Sequence, residues 1–154
     1  MADNFVANAG SGGSTFAADD VSSVLYTRVK RSFGSDGIAS DAGTGFRLLS
    51  AASTNATSLK ASAGVLYALY VVNLNAAVRY LKFYNKASAP TVGTDTPVLT
   101  LPIPASTTGA GFTINFDPGV SFNTGIAYAT TTGIADADST GVAANEIIIA
   151  GVYV

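Results

Sequence analysis

From Val21 to the end, the chain is a succession of short runs rich in Val, Ile, Leu, Thr, Tyr and Phe, each soon cut by Gly, Asn, Asp, Ser or Pro. No segment keeps apolar residues at the 3.6-residue spacing of a helix over about ten positions. The Ala-rich stretches that come nearest are interrupted by Gly, Ser and Thr. About eight such runs with turn signals between them predict an all-β chain, a jelly-roll-like antiparallel β-sandwich. No fixed-period repeat is visible, which argues against propellers and solenoids.

The runs differ in what they imply. VSSVLYTRVK reads as a strand followed by a long Gly/Asp/Ser loop, and FRLLSA as a second, short strand followed by a polar STNATS segment. GVLYALYVVNLN is apolar at both alternating sets of positions, which predicts a central strand covered on both faces. In AVRYLKFYNK, Leu81 and Phe83 share one face and are assigned to the core, leaving Tyr80, Lys82 and Tyr84 on the other. PVLTLPIP has Leu99, Leu101 and Ile103 in phase, and its prolines confine it to a sheet edge. GFTINFDPG turns Phe112, Ile114 and Phe116 inward and ends on a turn signal at Asp117-Pro118-Gly119. A strand through Ile126 and Tyr128 follows, and ANEIIIAGVYV closes the chain as a strand tied into a sheet.

Residues 1–20, with the stretch GSGGSTF, are Gly, Ser, Ala and Asn around isolated Phe5, Val6 and Phe16. They predict an extended N-terminal arm ahead of a sandwich domain over 21–154. The arm is either a flexible linker or a docking segment that orders against a neighbour through its phenylalanines.

The residues available for chemistry are few. The chain has no His and no Cys, so it lacks an imidazole base, a nitrogen metal ligand, a thiolate and a disulfide. Most acidic residues lie in Gly/Ser-rich loops, where Asx turns account for them, and nothing in their spacing pairs two across a cleft. The run Asp136-Ala137-Asp138-Ser139-Thr140-Gly141 begins like a calcium loop, but position twelve falls on Ile147 and Glu146 sits one residue early. GSGG lacks the Lys-Ser/Thr ending of a phosphate-binding loop, and no Ser-x-x-Lys spacing supports a lysine-assisted serine. The expectation is a protein that is not an enzyme and holds no cofactor or metal.

What remains is binding. Only 12% of the residues are charged, about half the share in an average soluble domain, while 48% are hydrophobic and there are 7 Tyr and 8 Phe. That is the composition of a surface meant to be covered. A net charge of −2 argues against nucleic acid as a partner. The one basic cluster, Arg28, Lys30 and Arg31, fits solvated strand-edge charges. No apolar run approaches the ~18 residues of a membrane span, and no signal-peptide pattern follows Met1, so synthesis in the cytoplasm and no membrane partner are expected.

The run Asp20 to Lys30 followed by Gly34-Ser35-Asp36-Gly37 resembles an N-terminal segment of tailed-bacteriophage structural proteins. The stretches AASTNATSLKASAGVLYALYVVNLNAAVRYLKFYNKASAPTVGTDTPVLTLPIP and GIAYATTTGIADADSTGVAANE resemble small capsid decoration, or cement, proteins of the same phages, and together these cover most of residues 20–150. The resemblance implies a β-sandwich that assembles as a homotrimer on the outer capsid surface of the virion and braces neighbouring subunits of the phage major capsid protein. Similar segments occur in tail and fibre proteins, so a tail or head-fibre component for receptor recognition is the alternative.

Three contact regions follow from the unpaired apolar groups. They are the arm, through Phe5, Val6 and Phe16; the face carrying Tyr80, Lys82 and Tyr84, read equally as a tyrosine-covered solvent face; and the loop around Pro90, Val92 and Pro97.

Overall fold

The computed structural model describes residues 43–154 in full and, before them, only the backbone of three strands: β1 (Asn4–Val6), β2 (Thr15–Val21) and β3 (Val24–Thr27). By its contacts the chain divides into two units, Met1–Ala42 and Gly43–Val154. In the first unit the strands form one antiparallel sheet in the order β1-β2-β3, with Phe5 opposite Phe16. The side chains of Phe5, Val6 and Phe16 lie outside the described residues, as do Arg28, Lys30, Arg31 and the loop after them.

The second unit carries β4 (Thr44–Leu49), β5 (Thr57–Lys60), β6 (Gly64–Asn73), β7 (Arg79–Asn85), β8 (Leu99–Ile103), β9 (Ala110–Phe122), β10 (Ile126–Thr131) and β11 (Ile147–Tyr153). They form two antiparallel sheets, ordered β4-β11-β6-β9 and β5-β10-β7-β8. The pairs β4 with β11, β5 with β10, β6 with β9 and β7 with β8 nest around the β7–β8 connection. A long antiparallel ribbon folded back over itself has this pattern, which is the jelly-roll arrangement of a β-sandwich. The expected fold class is therefore the observed one.

The inner faces follow the period of two. Leu81 and Phe83 on β7, Ile126 and Tyr128 on β10, Leu66, Leu69 and Val71 on β6, and Ile147 and Ile149 on β11 are all buried between the sheets. Phe83 sits at the centre of an aromatic group, its ring centroid 6.2 Å from both Phe122 and Tyr128. Strand β8 is an edge strand as its prolines require, and β11 lies inside its sheet.

Two expectations about strands are corrected. β6 is central in its sheet, but among the described residues nothing covers its outer face: Tyr67 and Tyr70 are exposed. The strand buried on both faces is β10, whose six residues are all buried. Asp117-Pro118-Gly119 does not reverse the chain either. It forms a bulge within β9, between Asn115, which pairs with Ala68, and Val120, which pairs with Leu66.

Candidate contact surfaces

The two outer faces of the sandwich contrast. On the β5-β10-β7-β8 sheet the outer positions are Tyr80, Lys82 and Tyr84 of β7, with Ala127 directly opposite Tyr84 and Ala129 directly opposite Lys82 on β10. The two alanines leave room for the long neighbours to lie flat, and loops then close over them. Lys82 is 0% exposed and Tyr84 1%. Expected as an exposed contact face, this surface is instead an inner layer covered by its own chain, with only Tyr80 partly exposed.

Each covering loop is fastened by a charge. The Lys82 ammonium donates to the carbonyl oxygens of Ala135 (2.6 Å) and Asp138 (3.4 Å). The Asp138 carboxylate accepts from the backbone N–H of Gly133 (2.7 Å) and of Thr140 (3.3 Å). Burial alone would raise the Asp138 pKa, but these bonds together with the Lys82 charge hold it below its usual value. The segment that begins like a calcium loop is thus arranged around a lysine. Glu146 is also engaged elsewhere, accepting from Arg79 Nε (2.6 Å) and from Asn75 Nδ2 (2.7 Å). Among the described residues no group of three acidic side chains is placed to hold a metal.

The Pro90–Pro97 loop is the second cover. The Asp95 carboxylate accepts from Lys86 Nζ and from the Thr91 backbone N–H (2.6 Å), and the Lys86 bond leads in holding its pKa down. Gly93, at φ 89°, supplies the left-handed residue of this turn. Pro90 is buried, Val92 packs against Tyr84, Ala127 and Ala129, and Pro97 is half-buried. This third contact region therefore folds back onto its own sheet. Beneath it the Tyr84 hydroxyl has no hydrogen-bond partner among the described residues, and burial, with Asp95 and Asp136 nearby, raises its pKa.

The other sheet has nothing over its outer face among the described residues. Three rows run across it in register: Leu49, Ile148, Val72 and Gly111; Arg47, Ala150, Tyr70 and Thr113; Gly45, Val152, Ala68 and Asn115. Arg47 is the one charge in these twelve positions. Tyr70 is 51% exposed and Leu49 42%. A shallow groove lined by Tyr70, Val72, Leu74, Gly109, Gly111 and Thr113 borders the β9 side. From strand spacing and rise the three rows cover roughly 400 Å². This is comparable to the largest apolar patch of an ordinary monomer and about half of what one partner contributes to a standard interface.

Of the nine residues expected to make contacts, Phe5, Val6 and Phe16 lie outside the described residues, Tyr84 and Val92 are packed together beneath the chain's own loops, and the exposed outer face of the β4-β11-β6-β9 sheet carries none of the six that are described. Its signal was in GVLYALYVVNLN. Its two apolar faces predict two covered faces, whereas Tyr67 and Tyr70 are the residue type that stands exposed on binding surfaces. No protein-family model matches the chain, and no curated protein or solved structure matches it either.

Proposed function

We propose that this chain is a structural protein of a tailed-phage virion, a decoration protein that binds across neighbouring major capsid subunits on the outside of the head and acts by binding alone. The observation that carries this reading is the outer β4-β11-β6-β9 face, which nothing covers among the described residues, which is mostly apolar or small and which has Arg47 as the single charge of its twelve positions. The resemblance of its sequence segments to capsid decoration proteins supplies the identity of the partner.

The mechanism is linkage. A protein that binds adjoining subunits only in their assembled arrangement stabilises that arrangement by mass action. The modest area of the face suits a contact that is weak per copy and gains strength when many copies bind one shell. The sandwich is neutral, with five basic and five acidic residues in Gly43–Val154, and the whole chain carries only −2, which keeps long-range repulsion between crowded copies small.

Co-sedimentation tests this directly. The protein should pellet with assembled heads of the phage that encodes it and stay in solution with the free capsid subunit. Equal binding to both, or to neither, rejects the decoration role.

A further inference from the structure

The sandwich has four sheet edges, and three are poorly suited to further pairing. β5 is four residues long, β8 has Pro102 as the fourth of its five residues, and β4 carries Arg47. β9 is different. It is the longest strand of the unit, and its Ala110–Phe116 stretch, AGFTINF, contains neither a charge nor a proline. Its ladder with β6 is regular from Ala110 to Asn115, and on its other side no strand is paired among the described residues. Uncharged edges of this kind accept another strand.

The inward side chains of the stretch are also incompletely covered. Phe112 and Ile114 are only partly buried, whereas Val71 and Leu69, directly opposite them on β6, are fully buried. A strand added at this edge would complete the core there.

We infer that the occupant is a second copy of the same chain, pairing β9 antiparallel to β9 about a two-fold axis through Thr113. Inward residues must oppose inward residues when two sheets become continuous, so the axis has to pass through a residue and not between two. With Thr113 on the axis, the whole regular segment is used. Phe112 faces Ile114 of the second copy, Gly111 faces Asn115, and Thr113 faces itself on the outer side. Aromatic with β-branched and Thr with Thr are favourable cross-strand pairs. Asp117, the charge nearest the stretch, lies four residues from the axis, so the two copies of it are far apart and on opposite sides. The result is one continuous eight-stranded sheet whose outer face doubles in extent.

The inference does not depend on a capsid, and its test uses the free full-length protein. Sedimentation over a concentration series should show a reversible species of twice the 15.5 kDa chain mass. Thr113→Lys and Thr113→Glu, each placing like charges opposite one another on the axis, should each weaken dimerisation by about tenfold or more. An equimolar mixture of the two variants should pair again, which a merely unfolded variant would not do. A protein that stays monomeric throughout overturns the inference. So does a trimer, an association indifferent to both substitutions, or a mixture that fails to recover.

Discussion

Lys82 stands directly opposite Ala129 across the β7–β10 ladder, and both are fully buried. The small partner is what lets the lysine lie over the sheet and reach the carbonyls of Ala135 and Asp138. Ala129→Leu should therefore overpack this layer and cost about 1–3 kcal/mol. Lys82→Met keeps the packed stem but loses the charged donor, and should cost about 1–2 kcal/mol. Urea unfolding midpoints at neutral pH measure both. A Lys82→Met protein as stable as the parent would mean that desolvating the ammonium already cancels its bonds.

Tyr84, two residues along the same face, behaves oppositely at its tip. Its ring is enclosed by Ala56, Val92, Ala127 and Ala129, but its hydroxyl is buried without a partner among the described residues. Tyr84→Phe removes an unsatisfied group and should leave stability unchanged or raise it by up to about 1 kcal/mol. Tyr84→Ala opens a cavity and should cost about 3–5 kcal/mol. Loss of stability in the Phe variant would reveal a partner for the hydroxyl, such as a bridging water.

The Arg79–Glu146 pair joins the start of β7 to the segment entering β11, with the Glu146 side chain only 7% exposed. Burial raises the Glu146 pKa, but the Arg79 bond leads the contacts that bring it below its ordinary 4.5. A lowered folded pKa means that the contribution is complete above about pH 4.5 and is lost as pH falls through the folded value. Asp138, also lowered, adds to the loss from below its ordinary 3.8. Stability should thus decline on acidification below about pH 4.5, and Glu146→Gln should flatten the upper part of that decline. At neutral pH Arg79→Met leaves a buried carboxylate unpaired and should cost about 3 kcal/mol.

The bulge in β9 makes a sharper prediction about backbone. Gly119 has φ 116°, and a Cβ there would collide with Val65 Cγ1. Gly119→Ala should cost about 2 kcal/mol or more, from strain and from disturbed pairing with β6. Gly45, whose added Cβ would have its nearest neighbour at 4.0 Å, is the control, and Gly45→Ala should change stability by no more than about 0.5 kcal/mol. Thermal unfolding of the two variants side by side decides it.

Much of the fold was legible because alternation fixes faces: the spacing in β7 assigns Leu81 and Phe83 to the core, and proline confines β8 to an edge, as the structure has them. β5 escaped because Thr57–Lys60 is a polar four-residue strand without an apolar period. The bulge escaped because Asp-Pro-Gly carries the same local signal in a turn and in a distorted strand. The contact surface was the least legible part, for a reason of long range. Whether an outer face is covered depends on loops that fold back from elsewhere, as those fastened by Lys82 and Asp95 do, and no period within β7 or β6 records them.

Folding and binding should consequently separate between the two outer faces. Tyr70 stands in the middle row of the uncovered face and is 51% exposed, so Tyr70→Lys removes little native packing and should shift stability by no more than about 0.5 kcal/mol. The same change places an ammonium at the centre of the proposed capsid contact, where desolvating it without a partner should weaken head binding at least tenfold. Thr96→Lys, at an exposed position of the Pro90–Pro97 loop over the other sheet, lies away from that face and should leave binding near the parent level. Occupancy of assembled heads by the three proteins, read alongside their unfolding midpoints, tests the assignment. Tyr70→Lys binding as the parent does would move the contact to another surface.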